Sequence, residues 1–261
     1  DERTIEKLIT EWTGVPLERL SSDMKTRLDA LNSDLNKAVL QQDYATNIII
    51  RSMTQSMLQL QDPNKPLGVF LFCGPSGVGK THTAQTVANL FFGSNSHFTV
   101  LNMSEFKEAH KVSTLFGSPP GYVGYGDGGV LTEAVRRQPY HLVLIDEIEK
   151  AHHEIHEVFY QIFDQGKAKD SQGREINFTN TIFILTTNIG SKLLSHNKAG
   201  SMSDTLPLLR QQLLNHFKPA FLGRLTTVPF IGLDKTSADN IIKNKLSKLQ
   251  HRVKQHHKVE L

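Results

Sequence analysis

Apolar residues return along this chain with two different periods. Three uninterrupted runs, Gly68–Cys73, His141–Ile145 and Thr181–Leu185, have the length and composition of strands buried on both faces. Phe98–Met103 and Thr226–Ile231 are weaker examples of the same pattern. Between the runs, apolar positions recur at three- and four-residue steps. In Glu149–Asp164, the residues Ile155, Val158, Phe159, Ile162 and Phe163 mark the buried face of a helix. Strands that alternate with helices predict an α/β fold, a parallel sheet covered on both sides. Upstream, residues 1–62 predict a short amphipathic helix, a break at Gly14-Val15-Pro16 and then two longer helices, closed by the loop Asp62-Pro63-Asn64-Lys65-Pro66. Downstream of Asp234, Ile242, Leu246, Leu249 and Val253 form one stripe of a basic amphipathic helix, with little sequence after it to pack against. That stripe predicts the start of a second, smaller domain. The expected division is residues 1–30 as linker and N-terminal helix, 31–232 as the main domain, and 233–261 as the start of the smaller one.

Two loops stand out. Ser113–Gly129 holds Gly117-Ser118-Pro119-Pro120-Gly121-Tyr122-Val123-Gly124-Tyr125-Gly126 and then Gly128-Gly129, a long Gly/Pro segment that carries aromatics. A loop of that length inside a domain is usually functional or mobile. Lys167–Phe178, centred on Ser171-Gln172-Gly173-Arg174, predicts a hairpin inserted between a helix and the next strand.

Composition removes several function classes. With 261 residues, of which 38% are hydrophobic and 21% charged, the chain can build a sizeable core and is not a disordered segment. Lys and Arg number 29 against 26 Asp and Glu, a net charge of +3 that gives no strong electrostatic case for nucleic acid. No apolar run approaches the ~18 residues of a membrane helix. The single cysteine, Cys73, cannot form an internal disulfide; this fits a reducing compartment and predicts a cytoplasmic protein. The chain begins Asp1-Glu2-Arg3 rather than with Met, which predicts a piece of a longer protein.

Chemistry enters with Gly74-Pro75-Ser76-Gly77-Val78-Gly79-Lys80-Thr81, two glycines flanking four residues and followed by Lys and Thr. It follows a buried strand and opens a helix predicted over Thr81–Phe92. Such a P-loop lets backbone N–H groups turn inward as an anion nest, to which the helix N-terminus adds positive dipole. Lys80 would reach the β- and γ-phosphates of ATP, and the Thr81 hydroxyl would ligate Mg2+. Leu142-Val143-Leu144-Ile145-Asp146-Glu147 delivers two carboxylates at a strand's C-terminal end, where ligands sit in parallel sheets. Adjacent strand residues point opposite ways, which predicts different roles: Asp146 holds magnesium through water, and Glu147 deprotonates the attacking water. Asn188 ends Leu185-Thr186-Thr187-Asn188, as a turn residue or as an amide that positions the water. Arg224, in Phe217-Lys218-Pro219-Ala220-Phe221-Leu222-Gly223-Arg224, is a surface residue or the arginine that phosphoryl transfer often draws from a neighbouring subunit. His152 and His156 stand one helical turn apart, a metal-ligand spacing, but without a third ligand nearby they are expected on a solvated face.

Together these segments resemble the second ATPase module of the double-ring Clp unfoldases, a branch of the AAA+ family, over nearly the whole chain. The resemblance runs from Trp12-Thr13-Gly14-Val15-Pro16 through the P-loop, the Gly117–Gly129 loop and Thr132-Glu133-Ala134-Val135-Arg136-Arg137-Gln138-Pro139-Tyr140. It continues through Ile145-Asp146-Glu147-Ile148-Glu149-Lys150-Ala151-His152, Asp170–Phe178 and Thr186–Ser191 to Arg224. It implies a three-layer P-loop fold, with a helical lid beginning near residue 233. It implies Glu147 as the catalytic acid, Asn188 as nucleotide sensor and Arg224 as the finger acting on the adjacent subunit of a homo-oligomeric, hexameric ring. Tyr122 and Val123 match the central-pore loop that grips polypeptide, and Val39 and Leu40 fall where the family contacts adenine. Gln41-Gln42 departs from the family's Gly-Gln at that turn. The ClpV branch, which recycles contracted type VI secretion sheaths, is matched more closely than the ClpB disaggregases, notably in Asn102–His110, Phe159–Asp164 and Pro219–Leu225. A non-hydrolysing nucleotide-binding scaffold is the competing class; intact Lys80, Asp146, Glu147 and Arg224 count against it.

Overall fold

All five predicted strands hydrogen-bond into one parallel sheet, in the computed structural model of the protein. The structure describes residues 24–93, 97–118, 128–195 and 202–234, with positions 239, 246 and 250. In chain order the elements are α1 (Met24–Ala38), α2 (Asp43–Met57), β1 (Gly68–Cys73), α3 (Lys80–Phe92), β2 (Phe98–Asn102), α4 (Val112–Phe116), α5 (Val130–Arg137), β3 (His141–Asp146) and α6 (His153–Gln165). There follow β4 (Lys167–Lys169), β5 (Glu175–Asn177), β6 (Thr181–Thr187), α7 (Ser191–Ser195), α8 (Met202–Leu214), α9 (Pro219–Leu222) and β7 (Thr226–Pro229). The sheet order is β2-β3-β6-β1-β7, while β4 and β5 form the separate antiparallel hairpin that the Lys167–Phe178 pattern predicts. The Gly14–Pro16 break, the centre of the aromatic loop with Tyr122 and Val123, and most of the C-terminal helix lie outside the described residues. No helix among the described residues is long and apolar enough to cross a membrane.

Alternation along the strands divides the core between the two faces. Phe70, Phe72, Leu142, Leu144, Ile182 and Ile184 pack with Leu35, Ile49, Met53, Ala84 and Val87 of α1, α2 and α3. Leu71, Val143, Ile145, Phe183 and Leu185 pack with Ile155, Phe159 and Phe163 of α6 and with Leu209 and Leu213 of α8. Burying each of these side chains stabilises the fold by about 1.5–3 kcal/mol, and having apolar residues at both parities is what makes the strands read as unbroken runs.

The helix expected from Glu149 begins instead at His153. Glu147 adopts a left-handed conformation (φ 56°, ψ 52°), a 3-10 turn occupies Ile148–Lys150, and His152 caps α6 by accepting the Glu154 N–H. Gly166, also left-handed, closes the helix. His156 is not on the solvated face expected for it. It is half-buried, stacks on Phe221 at 5.3 Å between ring centroids and bonds the Ile148 carbonyl, and burial lowers its pKa.

Candidate functional site

The strand order explains why the site forms where it does. β1, β6 and β3 are parallel neighbours, so the loops after Cys73, Thr187 and Asp146 emerge together at one edge of the sheet. The P-loop follows β1. Gly74 has φ 153° and lies so close to the Phe230 carbonyl that a Cβ would sit 2.4 Å from its oxygen; any side chain there would displace the strand behind the loop. Gly79 caps α3 with φ 101°, a conformation that glycine adopts without strain. Ser76, Gly77, Gly79, Lys80 and Thr81 then line a cavity of about 250 Å3, together with His82, Asp146, Glu147, Thr186 and Asn188. A larger cavity, about 1190 Å3, lies between α4, α6 and the β4–β5 hairpin, away from the P-loop.

Lys80 crosses the floor of this site. Its Nζ donates to the Gly74 and Pro75 carbonyls and, at 3.2 Å, to Asn188 Oδ1. Burial is the main influence on its ammonium and lowers its pKa, against an opposing pull from neighbouring Cys73, Glu149, Asp146 and Glu147. Cys73 itself is completely buried, and burial raises its pKa far above neutrality despite the nearby Lys80 ammonium, so the thiol stays protonated and serves as a small core residue.

The two acids do not point to opposite faces, as strict strand alternation would require, because the left-handed turn at Glu147 ends the strand and returns its carboxylate to the same cavity. The Thr186 hydroxyl fastens this turn by donating to Asp146 Oδ1 at 2.5 Å and accepting the Glu147 N–H at 3.0 Å. Glu147 Oε2 accepts from Lys150 Nζ at 2.6 Å and from Ser104 Oγ at 3.3 Å, while Oε1 accepts from Asn188 Nδ2 at 3.3 Å. The Lys150 hydrogen bond is the first cause holding the Glu147 carboxyl below its ordinary range, so it is ionised at neutral pH and able to accept a proton.

An anion nest and a cation at the P-loop, facing a carboxylate cluster, suit a polyphosphate bound with a divalent metal. The Thr81 hydroxyl and the Asp146 carboxylate border one cavity, and such oxygen donors fit Mg2+. Val39 is buried in one apolar cluster with Val78 of the P-loop and Phe230, and Leu40 is half-buried beside it. Arg224 stands apart. It precedes β7, whose Thr226 aligns with Phe70, so the remaining length of β1 separates it from the P-loop. There it pairs with Asp164 at 3.0 Å and lies 3.9 Å over the Tyr160 ring.

Comparison with known proteins agrees with this geometry: residues 65–228 match the AAA domain, Cdc48 subfamily. The chain belongs to the AAA domain family. It has the P-loop α/β fold. Over an alignment of 265 positions that covers 99% of its length, it is 44% identical to AAA+ ATPase ClpV1 of Pseudomonas aeruginosa. It is 43% identical over 98% of its length to chaperone protein ClpB of Yersinia enterocolitica, and 44% identical over 97% of its length to chaperone protein ClpB of Enterococcus faecalis. It spans only 29–30% of each of these relatives.

Sequence reasoning singled out no role for Ser104, Lys150, Thr186 or Glu149 in this AAA module. Glu149 and Lys150 stand one residue beyond the two acids, after Ile148, and Thr186 is one of two hydroxyls that end the β6 run. These were the available signals; the β3–β6 pairing gives Thr186 and Glu149 their partners, the β2–β3 pairing brings Ser104 to Glu147, and Lys150 meets Glu147 within one turn. His152, His153 and Glu154 offer three metal-ligating atoms within 4.8 Å of one another, but they crowd the positive N-terminus of α6 and His152 is engaged as its cap, so they are read as capping residues.

Proposed function

We propose that this chain is the ATP-hydrolysing motor of a cytoplasmic, ring-forming protein unfoldase of the ClpV type. Its substrate would be polypeptide, in the first instance contracted type VI secretion sheath. The observation that carries the reading is the convergence of Lys80, Asp146, Glu147 and Asn188 on one cavity at the P-loop. A structural turn or a passive scaffold has no need of an ionised carboxylate aimed at the phosphate site.

In the reaction we infer, backbone N–H groups of Gly74–Thr81 and the Lys80 ammonium bind the β- and γ-phosphates. Thr81 and Asp146 would hold magnesium, whose charge would offset that on the phosphate oxygens. A Glu147 oxygen takes a proton from water as the water oxygen attacks the γ-phosphorus, and the bond to the β-phosphate oxygen breaks to leave ADP. Asn188 orients that water. Val39 and Leu40 face the adenine, and Arg224 serves the site of the next subunit in a hexameric ring. Residues 31–232 form the large subdomain in this scheme, with the lid beginning at 233, and Tyr122 and Val123 grip the translocating chain.

A ClpB-type disaggregase is the second reading, supported by the nearly equal identity to the two kinds of relative. Tyr122→Ala in the whole protein tests the translocase proposal. ATP hydrolysis and ring assembly are expected to stay within about twofold of wild type while substrate remodelling is lost, because an aromatic ring grips an extended chain by packing alone. Contracted sheath and heat-aggregated protein, assayed side by side, separate ClpV from ClpB. Normal remodelling of both by the Tyr122→Ala ring would remove the pore-loop assignment.

A further inference from the structure

Glu149 presents an unusual combination. It sits in the 3-10 turn Ile148–Lys150, and its Oε1 accepts the backbone N–H of Asn188 at 3.0 Å, across from β3 to the end of β6. Its Oε2 is buried with no hydrogen-bond partner among the described residues. Buried carboxylate oxygens are expensive to leave unpaired, and an observed case calls for a reason. The partner across the strands supplies one. Asn188 is the centre of the site: its Oδ1 accepts from Lys80 at 3.2 Å and its Nδ2 donates to Glu147 at 3.3 Å. An amide that must reach two catalytic groups at once needs its own backbone fixed, and a hydrogen bond from a backbone N–H to a carboxylate is among the stronger ways to fix it. The charge on Glu149 is also felt at Lys80, so the same residue bears on both sides of the amide.

We infer that Glu149 is a positioning residue for ATP hydrolysis, seating Asn188 between Lys80 and Glu147 through the backbone N–H. It touches no reacting atom itself. The inference rests on reading the site as an ATPase centre, and it adds a residue that the P-loop pattern does not contain.

The test uses the whole protein with Glu149→Ala, Glu149→Gln, Asn188→Ala and the double variant. In nucleotide-free protein, hydrogen exchange at the Asn188 amide is expected to quicken by about tenfold or more in Glu149→Ala, and to stay near wild type in Glu149→Gln, whose amide oxygen can still accept. Turnover is expected to fall by about 10- to 100-fold in Glu149→Ala, with the affinity for a fluorescent ADP analogue changed less than about threefold. Glu149→Gln should keep turnover within about threefold, and Asn188→Ala should add little to the loss in Glu149→Ala, because residues that act as one unit are not additive. Unchanged protection of the Asn188 amide, losses that multiply in the double variant, or Glu149→Gln as impaired as Glu149→Ala would each overturn the inference. If Glu149→Ala does not fold, the Glu149→Gln result alone decides in the same sense. Wild-type turnover by Glu147→Gln would instead sink the ATPase reading, while the exchange measurement would still judge the seat.

Discussion

Gln41 and Gln42 show how single residues hold distant parts of this chain together. Gln42 is buried at 2% exposure, and its side-chain amide bonds both backbone groups of Ile231, donating to the carbonyl at 2.9 Å and accepting the N–H at 3.0 Å. Gln41 stands where the Clp pattern has glycine, and it adopts φ 59°, a left-handed conformation that costs a residue with a side chain about 1 kcal/mol. In return its Oε1 accepts the Asp234 N–H at 3.0 Å. The pair therefore ties the turn carrying Val39 and Leu40 to the chain leaving β7. Gln42→Leu would strand two buried backbone groups and is expected to lower stability by about 2–4 kcal/mol. Urea denaturation checks this, and an unshifted midpoint would show that Ile231 finds other partners.

Among the elements, β3 carries a titration built into its packing. His141 is buried at the start of the strand, its Nε2 bonded to Thr99 Oγ1 at 2.7 Å and its Nδ1 without a partner among the described residues. Burial first, and neighbouring His97 second, push its pKa down from 6.5 to about 4. The unfolded chain therefore binds more protons than the folded one between those values. Stability from this group is complete above pH 6.5 and is lost as pH falls toward 4, by up to about 3 kcal/mol. His156 shifts in the same direction. His141→Asn, which keeps a polar partner for Thr99 but does not titrate, is expected to flatten stability against pH in that window; an unchanged slope would exclude His141 as its source. The strand itself was legible in the sequence as an apolar run, as were β1 and β6, because burial on both faces leaves little polar to obscure the pattern, whereas the partly exposed edge strands β2 and β7 left weaker runs. The start of α6 was not. No glycine marks the left-handed turn at Glu147, which is held by Thr186 from another strand, so periodicity alone ran the helix back to Glu149. For the same reason Asp146 and Glu147 were recognisable as a pair of acids, whereas their arrangement and their partners Ser104, Thr186 and Asn188 depended on strand neighbours far apart in sequence.

For the whole molecule, the parallel sheet separates two chemistries. Its carboxyl edge gathers the P-loop, both acids and Asn188, while Arg224 lies toward the opposite edge on Tyr160 and Asp164. An arginine so placed suits a head-to-tail ring in which each subunit completes its neighbour's site. The account as a whole depends on the cavity at the P-loop being a centre for ATP hydrolysis in which Lys80 binds phosphate and Glu147 activates water. The most direct measurement pairs calorimetric titration of ATP and Mg2+ with phosphate release for wild type, Lys80→Ala and Glu147→Gln. Lys80→Ala is expected to lose nucleotide binding. Glu147→Gln should bind with an affinity close to wild type while turnover falls by about 10²-fold or more, since only the group that activates water has been removed. Hydrolysis by Glu147→Gln at the wild-type rate, or loss of its ATP binding, would contradict the account.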